Sequence, residues 1–314
     1  MDQMPIIVLT GPTAVGKTAL GVQLARLWNG EVISADSMQL YRGMDIGTAK
    51  PDETERQGIP HHMIDVAEPG EAWSVSRWTE GAVRCAEDIL ARNKCPLLVG
   101  GTGLYIESFL AGGSFGDAPF DPAVRESLSA EYDTLGGEVF REKLRAVDPS
   151  RAEKLAPADK KRLVRAMEVY TLTGETITAH DERSRKEPPR FPSLRYALTF
   201  RDRSVLYARI EERVDDMVRR GLFDEVASLL AAGLSRESTA MQAIGYKEVA
   251  ASLRGECTPS EAIEAVKRES CRYAKRQLTW LRRDGGLVWL PREEYPDTEA
   301  LTDRISQDLR RLST

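Results

Sequence analysis

Short apolar runs alternate with amphipathic stretches along the first third of the chain. The runs at 6–9 and 95–99 have the length of buried strands, and a further short strand is predicted at 31–34. Between them, the spacing of apolar residues predicts helices at 17–27 and 73–93. Apolar strands separated by helices are typical of a parallel sheet that is covered on both faces. We therefore expect an α/β fold.

The second half of the chain is mostly helical in pattern. It contains one more apolar strand, at 195–200, and then three stretches with helical periodicity, at 205–230, 246–253 and 259–283. A chain of 314 residues can form one large domain or one domain with an insertion.

Two linkers rich in glycine and proline interrupt the pattern, at 112–122 and 187–192. Charged, mostly helical sequence lies between them. We therefore expect a core domain formed by residues 1–116 and 196–314, with its C-terminal helices, and a helical insertion domain at 117–195.

Composition excludes several classes of protein. The four cysteines are far apart and the three histidines lack metal-ligand spacing, so we expect reduced thiols and no zinc site. No segment approaches the roughly 18 apolar residues of a membrane span, and we expect a cytoplasmic protein that does not bind membranes. A net charge of −5 argues against a uniformly basic nucleic-acid binder, but it leaves room for a local basic face.

The segment G-P-T-A-V-G-K-T follows the first strand and opens the first helix. Its G-x-x-x-x-G-K-[ST] spacing is that of a P-loop, in which backbone N–H groups surround a diphosphate. Lys17 then contacts the phosphate oxygens, and the Thr18 hydroxyl can bind Mg²⁺. The expected fold is a P-loop NTPase-like parallel sheet flanked by helices. The loop does not specify which diphosphate binds, or whether a phosphoryl group is transferred.

Polar residues follow the second strand, where ligands bind in open parallel sheets. The strand at 95–99 ends in glycine, at a place where a P-loop hydrolase has an aspartate for Mg²⁺. The acid is instead Asp36, after the strand at 31–34. Asp36 is either an N-cap for the next turn or a general base or metal-side carboxylate that faces the P-loop.

The sequence S-A-D-S-M-Q-L-Y-R-G-M-D-I-G-T-A-K-P at 34–51, after G-P-T-A-V-G-K-T, strongly resembles the tRNA dimethylallyltransferase family. Other segments are similar to that family's blocks in the same order, at 100–105, 162–168, 209–213, 241–247 and 273–280. The resemblance covers nearly the whole chain, and its specificity lies in the combination. It implies transfer of a dimethylallyl group from dimethylallyl diphosphate to N6 of the adenosine on the 3′ side of the tRNA anticodon. The diphosphate is then a leaving group.

Motif and resemblance together imply a diphosphate site. Its expected residues are Gly11, Pro12, Thr13, Ala14, Val15, Gly16, Lys17, Thr18 and Arg209. From sequence alone, Arg209 is one more charge on an amphipathic helix, and its role here comes from the resemblance. Mg²⁺ is the expected cofactor, and Thr18 is its expected protein ligand.

The expected catalytic residues are Lys17, Asp36 and Thr102. Lys17 stabilises the negative charge that grows on the leaving diphosphate. Adenine N6 is a weak nucleophile that must lose a proton as the C–N bond forms, and Asp36 is the candidate acceptor. Thr102 either bonds the substrate, which the resemblance favours, or caps the helix that follows it.

Basic residues gather in two places despite the acidic total. One group recurs at helical spacing: Arg268, Arg272, Lys275 and Arg282. A second group lies at 160–165 in the insertion. Each is either a solvated helix face or one side of a clamp on an RNA stem-loop. With the resemblance, the expected contacts with the tRNA anticodon stem-loop are Asp36, Ser37, Met38, Gln39, Thr102, Arg125, Lys161, Arg162, Arg165, Met241, Gln242, Gly245, Tyr246, Lys247, Arg272, Lys275, Arg276 and Gln277.

Two other classes of function remain open from the residues. A P-loop kinase for a small molecule or nucleotide would use the same loop with ATP. An RNA-binding module gated by a nucleotide would keep the basic residues but would not need the acid at Asp36. The resemblance is to the shorter bacterial form, and we expect a monomer.

Overall fold

The structure is a computed structural model that describes residues 4–111, 120–186 and 188–312. It divides into two compact units, Met1–Phe109 with Phe191–Thr314, and Leu110–Arg190. The predicted domain boundary near residue 116 lies outside the described residues. The predicted boundary near residue 195 lies inside a strand of the first unit.

The first unit is built on a parallel sheet that has six strands among the described residues. They are β1 (Ile6–Thr10), β2 (Gly30–Ala35), β3 (His61–His62), β4 (Cys95–Gly100), β5 (Ser193–Thr199) and β6 (Val288–Pro291). Their spatial order is β3-β2-β4-β1-β5-β6. Val8 of β1 pairs with Leu98 on one side and with Arg195 on the other. The loops that follow β1, β2 and β4 therefore meet at one edge of the sheet.

Helices connect the strands and form the second unit. In chain order they are α1 (Lys17–Leu27), α2 (Glu53–Arg56), α3 (Val75–Ala91), α4 (Gly103–Leu110), α5 (Pro122–Leu135), α6 (Gly137–Val147), α7 (Pro149–Lys154), α8 (Lys160–Thr173), α9 (Ile177–Lys186), α10 (Arg203–Arg219), α11 (Leu222–Ala231), α12 (Tyr246–Leu253), α13 (Pro259–Leu281) and α14 (Thr298–Leu312). None of the helices in the described residues is long and apolar enough to cross a membrane.

The main core lies between the sheet and the helices packed on it. Every residue of β1, β2 and β4 is buried, which explains why β1 and β4 read as nearly continuous apolar runs rather than alternating ones. One hydrophobic cluster joins residues of α1, the central strands and α14, among them Leu20, Leu97, Leu198 and Ile305. The sheet is thereby a rigid base for the loops at its carboxyl edge.

The second unit consists of α5 to α9 around a core of its own. Leu128, Phe140, Leu144 and Leu163 are among its buried residues. Glu168 of α8 is also fully buried, and it forms ion pairs with Arg125 and Arg165 at 2.6 and 2.8 Å. Burial opposes ionisation of Glu168, but the hydrogen bonds from the two arginines outweigh it and hold the pKa of its carboxyl below the usual range.

The α/β prediction and its parallel sheet are confirmed. The stretch predicted as helical at 205–230 is helical, but it consists of two helices, because α10 and α11 are separated at Gly221, whose φ of +100° lies in the left-handed region. β3 and β6 were not predicted, since they have two and four residues and depend on pairing with β2 and β5.

Candidate active site

The P-loop connects the carboxyl end of β1 to the first turn of α1. Gly16 has φ +92° and ψ +27°, a left-handed conformation that glycine adopts without steric cost. Gly11 has φ +140°, and a side chain there would collide with the carbonyl oxygen of Leu198 in β5. The two glycines of the motif are thus required by backbone shape and by close packing, and they turn the loop around the end of the helix.

Lys17 points back over its own loop. Its ammonium donates hydrogen bonds to the carbonyl oxygens of Gly11 and Pro12, at 3.1 and 2.7 Å. Burial and the nearby Arg213 lower the pKa of Lys17 to about 7, although Asp36 acts in the opposite direction. An anion bound here would favour the protonated form.

Two arginines of α10 contact the same loop. Arg209 donates from Nε to the Ala14 carbonyl at 3.1 Å, and Arg213 donates from Nη1 to the Thr13 hydroxyl at 3.2 Å. They are four residues apart and share one face of the helix. Arg213 was not predicted as a site residue, although its i+4 spacing from Arg209 was a usable signal. Burial lowers the pKa of Arg213, so its charge is poorly compensated by solvent.

Asp36 caps the turn that follows β2. Its Oδ1 accepts hydrogen bonds from the backbone N–H groups of Met38 and Gln39, at 2.9 and 3.3 Å. Within the described residues, Oδ2 accepts no hydrogen bond. The capping interpretation is therefore correct for one oxygen, while the other is available at the surface of the cavity described below.

Thr102 ties the ends of β2 and β4 together. Its backbone N–H donates to the Ala35 carbonyl at 3.0 Å, and its hydroxyl accepts from the Ser37 N–H at 3.2 Å. The hydroxyl of Tyr273 lies beside Thr102, and burial raises the pKa of Tyr273 to about 12. Tyr273 was not predicted as a site residue, although it begins the segment 273–280 that resembles the family.

Gln277 bridges the P-loop and the β4–α4 turn. Its side chain accepts from the Thr13 N–H at 3.0 Å and donates to the Gly101 carbonyl at 2.9 Å. Both ends of the amide are thus used within the protein, and the side chain is buried. This placement favours support of the loop over the predicted contact with RNA.

A cavity of about 760 Å³ lies between the P-loop, the β2 loop, α10 and α13, all within the first unit. Its lining brings together most of the predicted diphosphate and reacting groups: Thr13, Ala14, Gly16, Lys17, Thr18, Asp36, Ser37, Met38, Gln39 and Arg209. Arg213, Tyr273 and Arg276 also line it. Gly11, Pro12 and Val15 are buried beneath the loop. The cations that could bind a diphosphate and the carboxylate that could accept a proton therefore line the same cavity.

Several basic residues of α13 are paired with acidic residues. Arg272 pairs with Glu269 at 2.6 Å, and Lys267 pairs with Asp215 at 2.7 Å. Lys275 and Arg276 are exposed on the same helix. Both interpretations of these basic residues, a solvated helix face or one side of a clamp on RNA, thus stay open.

The predicted RNA-contact segment 241–247 has buried and exposed members. Met241 and Tyr246 are almost fully buried, whereas Gln242 and Lys247 are exposed. Gly245 has φ +96° and is the N-cap residue of α12. Only the exposed members can meet a macromolecule without rearrangement.

In the second unit, the predicted RNA contacts differ in the same way. Lys161 and Arg162 are exposed, and Arg162 pairs with Asp159 at 3.2 Å. Arg125 and Arg165 instead bind the buried Glu168 carboxylate. These two arginines therefore stabilise the α5–α8 pair.

Fold and site together define a P-loop protein. Its phosphate-binding loop faces the carboxylate of Asp36, which follows β2, whereas a P-loop hydrolase has its aspartate after the strand that corresponds to β4. Residues 39–284 match the model of the IPP transferase family, and residues 4–67 match that of the isopentenyl transferase family. The chain belongs to the IPP transferase family.

Relatives support this assignment over nearly the full length. A tRNA dimethylallyltransferase of Acetivibrio thermocellus is 45% identical over 300 residues, and that of Carboxydothermus hydrogenoformans is 46% identical over 300 residues; each match covers 96% of both chains. Among solved structures, the tRNA isopentenylpyrophosphate transferase of Bacillus halodurans has a TM-score of 0.72 at 39% identity, covering 99% of this chain and 98% of its own. A eukaryotic dimethylallyltransferase acting on tRNA has a TM-score of 0.80 at 29% identity, covering 98% of this chain and 79% of its own.

Proposed function

We propose that the protein transfers a dimethylallyl group from dimethylallyl diphosphate to N6 of the adenosine adjacent to the 3′ side of the anticodon in tRNA, and releases diphosphate. The observation that carries the proposal is the shared cavity of Asp36 and the P-loop cations. Its relatives named tRNA dimethylallyltransferase support the choice of substrates.

The P-loop end of the cavity would bind the diphosphate. As the allylic C–O bond breaks, its electron pair leaves with the diphosphate, and negative charge grows on those oxygens. Lys17, Arg209, Arg213 and the loop N–H groups would stabilise that charge more strongly in the transition state than in the ground state. Because the pKa of Lys17 is lowered in the free protein, a bound diphosphate would also keep the Lys17 side chain protonated.

The Asp36 end would receive the adenine. N6 forms a bond to the allylic carbon and loses a proton, which the available Oδ2 of Asp36 would accept. The two backbone hydrogen bonds to Oδ1 hold the carboxylate in place while this occurs. The target base lies in an RNA loop, so its extrusion into the cavity costs less than extrusion from a duplex.

Thr102 has a supporting place in this scheme. Its hydroxyl bonds the N–H of Ser37, next to Asp36, and it lies beside Tyr273. We propose that it helps to hold the β2 loop against the substrate, in addition to any direct contact with it.

The donor set at the loop suits Mg²⁺. Thr18 lines the cavity at the start of α1, and a hydroxyl and carboxylate with phosphate oxygens and water are the ligands that this ion prefers. Thr18 would hold the ion through its hydroxyl. When bound, Mg²⁺ supplies charge stabilisation of the leaving diphosphate.

The tRNA anticodon stem-loop would contact exposed basic and polar residues of both units. In the first unit these are Gln242, Lys247, Arg272, Lys275 and Arg276, and in the second they are Lys161 and Arg162. The same proposal includes a cytoplasmic location and a monomer.

The test is incubation of the purified protein and Mg²⁺ with unmodified tRNA and dimethylallyl diphosphate, followed by mass spectrometry of the nucleosides. A mass gain of one dimethylallyl group on adenosine is the expected result. A parallel reaction with ATP alone addresses the kinase alternative. Consumption of ATP without prenylated adenosine would replace the transferase with that alternative.

A further inference from the structure

Glu225 of α11 binds a backbone segment far from it in sequence. Its Oε2 accepts from the N–H groups of Asp45 and Ile46, at 2.9 and 2.7 Å. Its Oε1 accepts from the Gly47 N–H at 3.1 Å and from the Tyr246 hydroxyl at 2.6 Å. We call these four interactions the Glu225 clamp. One carboxylate thus satisfies three consecutive N–H groups that belong to no helix or strand.

The other side of this segment is also fixed. A side chain at Gly47 would lie 2.5 Å from Cε2 of the Tyr246 ring, so the backbone packs directly on that ring. Tyr246 itself is fully buried. Lys50, at the end of the segment, is buried and binds Asp45 at 2.7 Å and the Tyr41 carbonyl at 2.6 Å. The segment therefore has little freedom while the clamp is intact.

The clamped segment supports a side chain of the cavity. The carbonyl oxygens of Thr48 and Ala49 accept from Nε2 of Gln39, at 3.3 and 3.2 Å. Oε1 of Gln39 accepts from the Ser34 hydroxyl at 3.1 Å. Its backbone N–H donates to Asp36. The orientation of the Gln39 amide, beside the proposed proton acceptor, thus depends on where residues 48 and 49 lie.

We propose that Glu225 is a positioning residue for prenyl transfer, which acts through the segment 45–49 on Gln39 and the cavity wall next to Asp36. The inference rests on the proposed function. Glu225 does not line the cavity among the described residues, so its effect passes through the backbone rather than through the substrate. Tyr246 extends the connection to the start of α12, beside the exposed Lys247.

The first test compares Glu225→Gln with Asp224→Asn. Both remove one negative charge from the first turn of α11, but Asp224 is exposed and its side chain bonds none of the clamped N–H groups. In Glu225→Gln an NH₂ group faces N–H donors, so the segment shifts. We expect kcat to fall roughly tenfold, because small misplacements in an active site are costly, with KM for dimethylallyl diphosphate within about twofold. Asp224→Asn is expected to keep wild-type kcat.

A double-mutant cycle with Gln39→Ala separates positioning from a general loss of stability. If Glu225 acts through Gln39, the double variant loses little more activity than Gln39→Ala alone, since the two share one route. Additive losses, or an unchanged kcat in Glu225→Gln while the wild type is active, would overturn the role. Tyr246→Phe, which removes one of the four donors, serves as the milder variant and is expected to show a smaller loss of kcat.

Amide hydrogen exchange measures how well the Glu225 clamp protects its backbone N–H groups, and it needs no substrate. We expect faster exchange at residues 45–47 in Glu225→Gln than in the wild type or in Asp224→Asn. Equal exchange would overturn the clamp itself. Absence of prenylation by the wild type would instead overturn the proposed function, so the two failures are distinguishable.

Discussion

The Lys17 ammonium lies 2.7 Å from the carbonyl oxygen of Pro12 and donates a hydrogen bond to it. In this position the ammonium is hydrogen-bonded within its own loop. A diphosphate would offer a charged acceptor in place of a neutral carbonyl, and charge-assisted hydrogen bonds are the stronger kind. A diphosphate bound at the loop would therefore replace the hydrogen bond from Lys17 to the Pro12 carbonyl with a stronger one.

Diphosphate binding should weaken with rising pH. The pKa of Lys17 is about 7 because of burial and Arg213, and a bound anion raises that pKa by favouring the ammonium. Above pH 7 the free protein loses the proton that the complex needs, so Kd rises by up to about tenfold per pH unit. Calorimetric titration with dimethylallyl diphosphate from about pH 6 to about pH 9 measures this. Lys17→Met should bind weakly at every pH, and a parallel slope in that variant would assign the titration to another group.

Arg213 should matter for the diphosphate as well as for the loop. It bonds Thr13 and lies near Lys17, so Arg213→Ala removes a charge from the cavity and one anchor of the P-loop. We expect kcat/KM for dimethylallyl diphosphate to fall by roughly 10- to 100-fold, since a hydrogen bond to a charged group contributes about 1.5–3 kcal/mol. Steady-state kinetics at saturating tRNA checks the effect. Arg203→Ala, on the exposed first turn of the same helix, is the matched control, and an equal loss there would point to helix destabilisation.

Glu168 should stabilise the second unit in a pH-dependent way. The pKa of its carboxyl is held below the usual range, so its contribution is present above the unfolded pKa of about 4.3 and is lost as pH falls through the lower folded value. Glu168→Ala leaves Arg125 and Arg165 without this acceptor, and we expect a loss of about 1–3 kcal/mol in the free energy of unfolding at neutral pH. Denaturant titration measures it. The difference from wild type should shrink in acid, and a constant difference would contradict the ion-pair account.

Arg272 tests the RNA surface of α13. Arg272→Glu should weaken tRNA binding and reduce the slope of log K against log salt by about one unit, because a phosphate contact releases counterions. Filter binding over a range of salt concentrations measures that slope. Arg310→Glu makes the same charge change on α14, outside the proposed surface, and should keep a wild-type slope. Equal slopes for Arg272→Glu and wild type would place Arg272 off the interface.

The part of the site that sequence predicts is the part encoded in contiguous motifs. The P-loop and Asp36 each follow a buried strand, so the parallel sheet brings them to one edge whatever the details of the helices. The bonds that hold them in place are different. Gln277 is 264 residues from Thr13, and Glu225 is 178 residues from Gly47, and no local pattern links such pairs.

Burial also separates residues that look alike in sequence. Lys161 and Arg165 are both cations of α8, but Arg165 is directed to the buried Glu168 while Lys161 is exposed. A carboxylate on the same helix, three residues after Arg165, was the available signal for that pair. The short strands β3 and β6 show no recognisable pattern in the sequence, since they form only by pairing with β2 and β5.

The most direct test of the central claim, that Asp36 and the P-loop cations act on one reaction, is single-turnover transfer by wild type and Asp36→Ala. We predict that the variant still binds tRNA and dimethylallyl diphosphate but forms prenylated adenosine and diphosphate 10²–10⁴-fold more slowly, the typical contribution of a general base, roughly 3–5 kcal/mol. The two products should appear in equal amounts in the wild type. An unchanged rate in Asp36→Ala would contradict the account.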